Sequence, residues 1–155
     1  MKTKLALLLN EYGESHQNPT NKLLHWMCVP LIFFTIFGLL RCIPMPDSMI
    51  AISQYVNISF LAILLTMLYY LSLSWKLFLA FIPWALVVVV GKDYLFQKLG
   101  PSNLLIASIS TFALAWVGQF IGHGIEGKKP SFLKDLQFLL IGPAWLLNFI
   151  FKIVK

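Results

Sequence analysis

The sequence predicts an all-α integral membrane protein, and three observations carry that prediction. Hydrophobic residues make up 59% of the 155 residues and charged residues only 12%, with a mean hydropathy of +0.79, whereas ordinary soluble domains are roughly 45–50% apolar. Apolar runs near the ~20 residues that a helix needs to cross a bilayer recur along the chain, separated by short stretches rich in Pro, Asn, Ser and Lys. No polar stretch is long enough to bury a core of its own, so residues 1–155 form a single membrane domain. The architecture this implies is about four transmembrane helices, an N-terminal surface helix and a broken C-terminal helix.

The elements follow in chain order. Residues 1–13 read as a short amphipathic helix, with Leu5, Leu8, Leu9 and Tyr12 on one face and Lys2, Lys4 and Glu11 off it, lying on the membrane surface until Gly13 breaks it. The lysines and short apolar run at its start are followed by no small-residue cleavage site, so no signal peptide is expected. Asn18 is a good N-cap and Pro19 a good first helical residue, so a new helix starts there and becomes the first span, 24–43, with Pro30 inside it. Pro44, Pro46 and Asp47 make the next turn. The second span is 49–73, and a tight turn at Ser74 to Lys76 leads into a shorter third, 77–91, which contains Pro83. Lys92 to Ser102 reads as a loop and 103–125 as the fourth span. The last segment, 132–154, is interrupted by Gly142 and Pro143 and reads as a broken interfacial or re-entrant helix rather than a fifth span.

Charge sets the orientation. The 12 Lys plus Arg exceed the 6 acids, but they sit in the connecting segments, which points to headgroup contact and membrane topology rather than to nucleic acid. With the N-terminus cytoplasmic, Lys2, Lys4, Lys22, Lys76, Lys128, Lys129 and Lys134 lie inside, against Arg41, Lys92 and Lys98 outside. Cys28 and Cys42 are about 20 Å apart along one helix, too far for a disulfide.

That topology brings two polar clusters to the same face. In the first, His16 precedes the helix start at Asn18 and Pro19 while His25 lies in its second turn, and the break lets both imidazoles converge; Asn21 shares the face of His25. In the second, Gln119, His123 and Glu126 fall at i, i+4 and i+7 of a helix end rich in glycine, followed by Lys128, Lys129 and Pro130. The 3 histidines of the chain are therefore expected together at the cytoplasmic membrane surface, where a bland alternative is that polar groups at span ends only anchor to headgroups. Three imidazoles suit Zn, Fe or Cu, and histidine with carboxylate and open positions is the pattern of mononuclear non-haem iron oxygenases. No GxSxG, P-loop or dinucleotide fingerprint supports a hydrolase, ATPase or nicotinamide or flavin enzyme.

The residues carrying these clusters resemble a known family. His16, Asn18, Pro19, Asn21, His25, Val29 and Pro30 match the first signature of the 2-hydroxy fatty acid dioxygenases, formerly a domain of unknown function, and Trp116, Gln119, Phe120, Gly122, His123, Glu126, Lys128, Lys129 and Pro130 match the second. Asp135 to Trp145 is similar to the family's C-terminal part. The chain departs from the yeast pattern at His16-Gln17, where a second histidine stands, and at Glu126, which lies one residue nearer to its histidine. The resemblance implies an iron(II)-dependent membrane enzyme that shortens 2-hydroxy fatty acids by one carbon and, in yeast, serves phytosphingosine breakdown in the endoplasmic reticulum. It implies His16, His25 and His123 as metal ligands and Glu126, Gln119 and Asn21 as catalytic residues, with 2-hydroxy fatty acid, O2 and membrane lipid as partners. In a bacterium the corresponding location is the inner membrane.

Residue chemistry is consistent with this implication. Iron held by three protein groups keeps positions for a chelating 2-hydroxy carboxylate and O2, and the substrate supplies all four electrons, so no reductase motif is needed. Lys128 and Lys129 are placed to attract the carboxylate, or equally to set topology and meet anionic lipid. The rival class is a non-enzymatic membrane protein: the span interiors as read here carry no ionisable residue, which argues against a carrier and leaves a small scaffold or metal-binding protein. Topology is open to direct measurement. Single cysteines near Asp47 and Gln97 should react with an impermeant thiol reagent from outside and those near Ser15 and Lys129 should not; labelling of Ser15 and Lys129 from opposite sides would separate the two clusters.

Overall fold

The computed structural model describes residues 3–46, 57–127 and 138–154. Among these the regular structure is helical: α1 (Lys4–Gly13), α2 (Pro19–Arg41), α3 (Ile58–Leu73), α4 (Trp75–Ile125) and α5 (Ile141–Phe151). Two of them, α2 and α4, are long and apolar enough to cross a membrane.

Local chemistry starts α2 where the sequence reading put it. The Asn18 side chain accepts hydrogen bonds from the Thr20 and Asn21 amides, with Pro19 in the first helical position. Asn57 caps α3 through Phe60 N–H, and Thr3 caps α1 through Ala6 N–H. Where α4 is concerned, the expected loop from Lys92 to Ser102 is absent. The segment is helical apart from Gly100, whose φ of 75° is open to glycine but strained for other residues, and Pro101 starts the helix again. The polar residues that suggested a loop are satisfied by tertiary partners. Asp93 accepts from Arg41 Nε at 2.7 Å and Lys92 Nζ at 3.1 Å, and the Arg41 guanidinium lies 3.8 Å over the Phe96 ring. Lys92 is fully buried in this helix and Asp93 nearly so, just beyond the 77–91 segment read as the third span.

Gly100 makes α4 a hairpin. Its first half climbs beside α2, with Phe81 against Phe33 and Asp93 at Arg41. The second half returns antiparallel to α2 along a seam of small residues. A Cβ on Gly38 would stand 2.6 Å from Ser108 Oγ, one on Gly118 2.6 Å from Cys28 Sγ, and one on Gly122 would collide with Asn21 Oδ1. Beside this pair, α3 packs through Tyr70, whose ring meets Phe81 edge-on at 4.7 Å and whose hydroxyl donates to the Leu140 carbonyl at 2.6 Å.

Both ends of the chain differ from their predicted roles. The apolar face of α1 is covered by protein: Leu5, Leu9 and Tyr12 are buried in one cluster with Phe138, Ile141 and Ala144. Gly142 and Pro143 do not interrupt a helix; they lie in the first turn of α5, where a proline costs no hydrogen bond. The first part of the predicted second span and of the C-terminal segment, with Asp47, lies outside the described residues. Facing outward, α2, α3 and α4 expose large apolar side chains such as Leu65, Leu86, Val90 and Leu114, the last 72% accessible.

Helix–helix contact through glycine is testable by overfilling it. Gly118→Val should lower stability in micelles by about 1–3 kcal/mol, because its side chain meets Cys28. Gly124→Ala, where nothing lies within 4 Å of the added carbon, should unfold at or slightly above the wild-type midpoint.

Candidate metal centre

The antiparallel seam sets the start of α2 beside the end of α4, and the three histidines meet there. Ring centroids of His16 and His25 are 4.1 Å apart, His25 and His123 5.1 Å, and His16 and His123 5.4 Å. All three are buried, at 3%, 0% and 5% exposure respectively. One nitrogen from each lies within 4.8 Å of the others.

Backbone carbonyls decide which nitrogen faces inward. His16 Nδ1 donates to the Tyr12 carbonyl at 2.6 Å and His25 Nδ1 to the Asn21 carbonyl at 2.9 Å, each one helical turn back. A carbonyl can only accept, so both rings carry the proton on Nδ1 and present a lone pair on Nε2. Those two Nε2 atoms are buried without a hydrogen-bond partner among the described residues. Burial holds the His16 pKa down to about 4, although the Tyr12 hydrogen bond raises it, so the ring is neutral at pH 7. Converging unprotonated lone pairs in a buried site cost free energy unless an electron-pair acceptor lies between them. A metal ion satisfies them, and neutral imidazoles oriented by Nδ1–H···O=C bonds are its usual nitrogen ligands. Three ligands on ~2.1 Å bonds to one ion are mutually separated by no more than ~3.6 Å, so nitrogens as far apart as 4.8 Å would close by about 1 Å or more to share one.

Glu126, the predicted catalytic carboxylate, is committed elsewhere. Oε1 accepts from Gln17 N–H at 2.8 Å, and Oε2 accepts from Asn18 N–H at 2.8 Å and Asn21 Nδ2 at 3.1 Å. It ties the end of α4 to the linker that carries His16. Burial would raise its pKa, but the bonds from Asn18, Asn21 and Gln17 outweigh burial and hold the carboxyl below its ordinary range. Asn21 has a matching role: it is fully buried, and its amide bridges Glu126 and the Ser15 carbonyl at 3.0 Å while its own carbonyl orients His25.

Gln119 does enter the site. With His25 and His123 it lines a cavity of about 40 Å³ closed by Val29, Phe138 and Gly142, and its buried Nε2 has no hydrogen-bond partner among the described residues. Lys128 and Lys129 lie outside the described residues. Two neighbours were not singled out from sequence. Tyr12 stacks on His16 at 4.2 Å with a 13° interplanar angle, and Trp145 approaches the same ring at 5.5 Å. The Tyr12–His16 spacing of one helical turn was a usable signal, whereas nothing local links Trp145 to a residue so far away in the chain.

Comparison with known proteins agrees with this geometry. A family described as 2-hydroxy-palmitic acid dioxygenase Mpo1-like matches residues 3–153. The 2-hydroxy-palmitic acid dioxygenase MPO1 of Saccharomyces cerevisiae is 28% identical over 153 residues, covering 94% of this chain and 79% of the yeast protein. No solved structure matches the chain.

The Glu126 tie can be loosened on its own. Glu126→Ala should speed amide hydrogen exchange at Gln17 and Asn18 by about tenfold or more, since charge-assisted bonds of this kind contribute roughly 1.5–3 kcal/mol. In the wild type the tie is at full strength above the ordinary carboxyl pKa of 4.5 and is lost as pH falls through the lower folded value. Exchange at these amides corrected for intrinsic pH dependence should therefore stay flat from pH 8 to 5.

Proposed function

Since the chain belongs to the 2-hydroxy-palmitic acid dioxygenase Mpo1-like family, we propose that it is an iron(II)-dependent membrane dioxygenase that converts 2-hydroxy fatty acids to fatty acids one carbon shorter. The observation that carries this reading is the pair of buried, unpartnered Nε2 lone pairs on His16 and His25 facing His123. In it His16, His25 and His123 would hold the ion, and iron(II), when bound, would supply the activation of O2 toward the 2-hydroxy acid.

The overall reaction closes without a second cofactor. A 2-hydroxy acid plus O2 gives the next shorter acid, CO2 and water; the C1–C2 bond breaks, C2 becomes the new carboxyl carbon, and the substrate donates all four electrons that O2 accepts. Gln119 aims its amide N–H into the cavity and donates to an oxygen of the substrate head group. Glu126 and Asn21 act as positioning residues, holding the linker so that His16 reaches the other two rings. Tyr12, Phe138 and Val29 exclude bulk water around the reacting carbons.

Four spans with a cytoplasmic N-terminus complete the proposal. Each half of α4 is roughly 37 Å long at 1.5 Å per residue, enough to cross a ~30 Å hydrocarbon core. The outward apolar side chains of α2, α3 and α4 form a larger patch than soluble monomers expose. The histidine cluster then sits at the cytoplasmic face, and Lys128 and Lys129, which follow Glu126 closely in sequence, serve to attract the substrate carboxylate. The fatty acid reaches it from the bilayer.

Purified protein should carry about one divalent metal per chain, lost in His25→Ala and His123→Ala while both variants still insert and elute as wild type. Reloaded with Fe(II), the wild type should convert 2-hydroxypalmitate to the fifteen-carbon acid, leave palmitate untouched, and be inactive with Zn, which binds imidazole but does not activate O2. Full metal occupancy in both variants, or equal turnover of the two acids, would sink the reading.

A further inference from the structure

A second cavity, of about 200 Å³, lies across Val29 from the histidines. Its wall is formed by Trp26, Val29 and Pro30 of α2, Trp84 of α4, and Pro143 and Leu147 among residues of α5. Val29 lines both cavities, and the consecutive residues Gly142 and Pro143 line one each. Val29 and Tyr12 pack directly on the bare backbone of residue 142, where a Cβ would stand 3.2 Å from Val29 Cγ1 and 3.1 Å from the Tyr12 hydroxyl. On its outer side the second cavity reaches Ile150, which is 56% exposed.

The two spaces differ as the two ends of an amphiphile do. One holds the inward imidazoles and the Gln119 amide in about 40 Å³, room for a head group and little else. The other has an entirely hydrophobic set of lining residues and no titratable group. We infer that the second cavity takes the acyl chain of the 2-hydroxy acid, led past Val29 from the histidine site, and that Val29 and Leu147 set the chain lengths that fit. This rests on the reaction proposed above. A head group held between His25, His123 and Gln119 must send its chain out through some wall, and the wall made by Val29 and Gly142 is the one backed by an apolar cavity. Adjacency across one shared side chain, rather than apolarity alone, singles out this occupant over a bilayer lipid.

The test uses 2-hydroxypalmitate carrying a diazirine at its terminal carbon, photolysed with the full-length protein in phosphatidylcholine nanodiscs. Label should map to Trp84 and to α5 between Leu146 and Ile150, and excess unlabelled 2-hydroxypalmitate should displace it. Leu147→Trp, which fills the cavity, should cut labelling and lower kcat/KM for 2-hydroxypalmitate relative to 2-hydroxyoctanoate by roughly tenfold. Leu147→Ala, which enlarges it, should shift preference toward 2-hydroxystearate. Label on outward residues of α4 such as Leu114 and Val117, label that the competitor does not displace, or Leu147 variants that scale all three acids alike would each overturn the inference. Displaceable label in the cavity of a protein that turns over none of the acids would uphold the acyl site and remove the proposed reaction instead.

Discussion

Everything at the histidine cluster depends on how closely two backbones approach. Where α2 and the returning half of α4 cross, Gly118 accepts the Cys28 thiol and Gly122 accepts the Asn21 amide, with no room for a Cβ at either place. In a membrane, where lipid tails are as apolar as leucine, such contact supplies the packing that exclusion from water supplies elsewhere. The glycines therefore do two things at once. They let the helices associate, and they bring the first turn of one within side-chain reach of the last turn of the other.

From that contact follows a division of labour among polar residues. Imidazoles face inward, and carboxylate and amides face the backbone that holds the imidazoles. Glu126 spends both oxygens on the linker between α1 and α2, and Asn21 spends its amide on Glu126 and Ser15 and its carbonyl on His25. A linker of this length has many accessible conformations, and two charge-assisted bonds to its backbone restrict it where His16 must point. A histidine two residues before a helix cap is poorly positioned by its own chain, so a rigid partner more than a hundred residues away does the positioning.

Three of the buried unsatisfied groups belong to the candidate site. Nε2 of His16 and His25 and the Gln119 amide nitrogen are all buried without partners among the described residues, and His25 and Gln119 line the same cavity. Elsewhere in the fold the buried charges are paired, since Asp93 accepts from both Arg41 and Lys92, and Tyr70 reaches the Leu140 carbonyl, while Ser59 Oγ is buried without a hydrogen-bond partner among the described residues. Two open imidazole lone pairs beside a third buried histidine are a donor set that could hold a metal ion.

Much of this was legible without coordinates, and the reason is that the signals were local. Asn18 and Pro19 start a helix whatever surrounds them, because a side-chain acceptor and a missing N–H answer the needs of a helix N-terminus. Hydropathy marked long apolar helices, of which α2 and α4 are long enough to cross a membrane, and helical spacing put Gln119, His123 and Glu126 together at one helix end. Tertiary structure alone decided the rest. Asp93 read as a loop residue because its partner Arg41 lies on another helix, and the amides that bond Glu126 could not be foreseen because they come from the other end of the chain. Tyr12 read as a lipid-facing residue because Phe138 and Ile141, which bury it, are remote in sequence. What a residue's own neighbours can satisfy is written in the sequence; what a buried charge or a lone pair meets depends on which distant segment the fold presses against it.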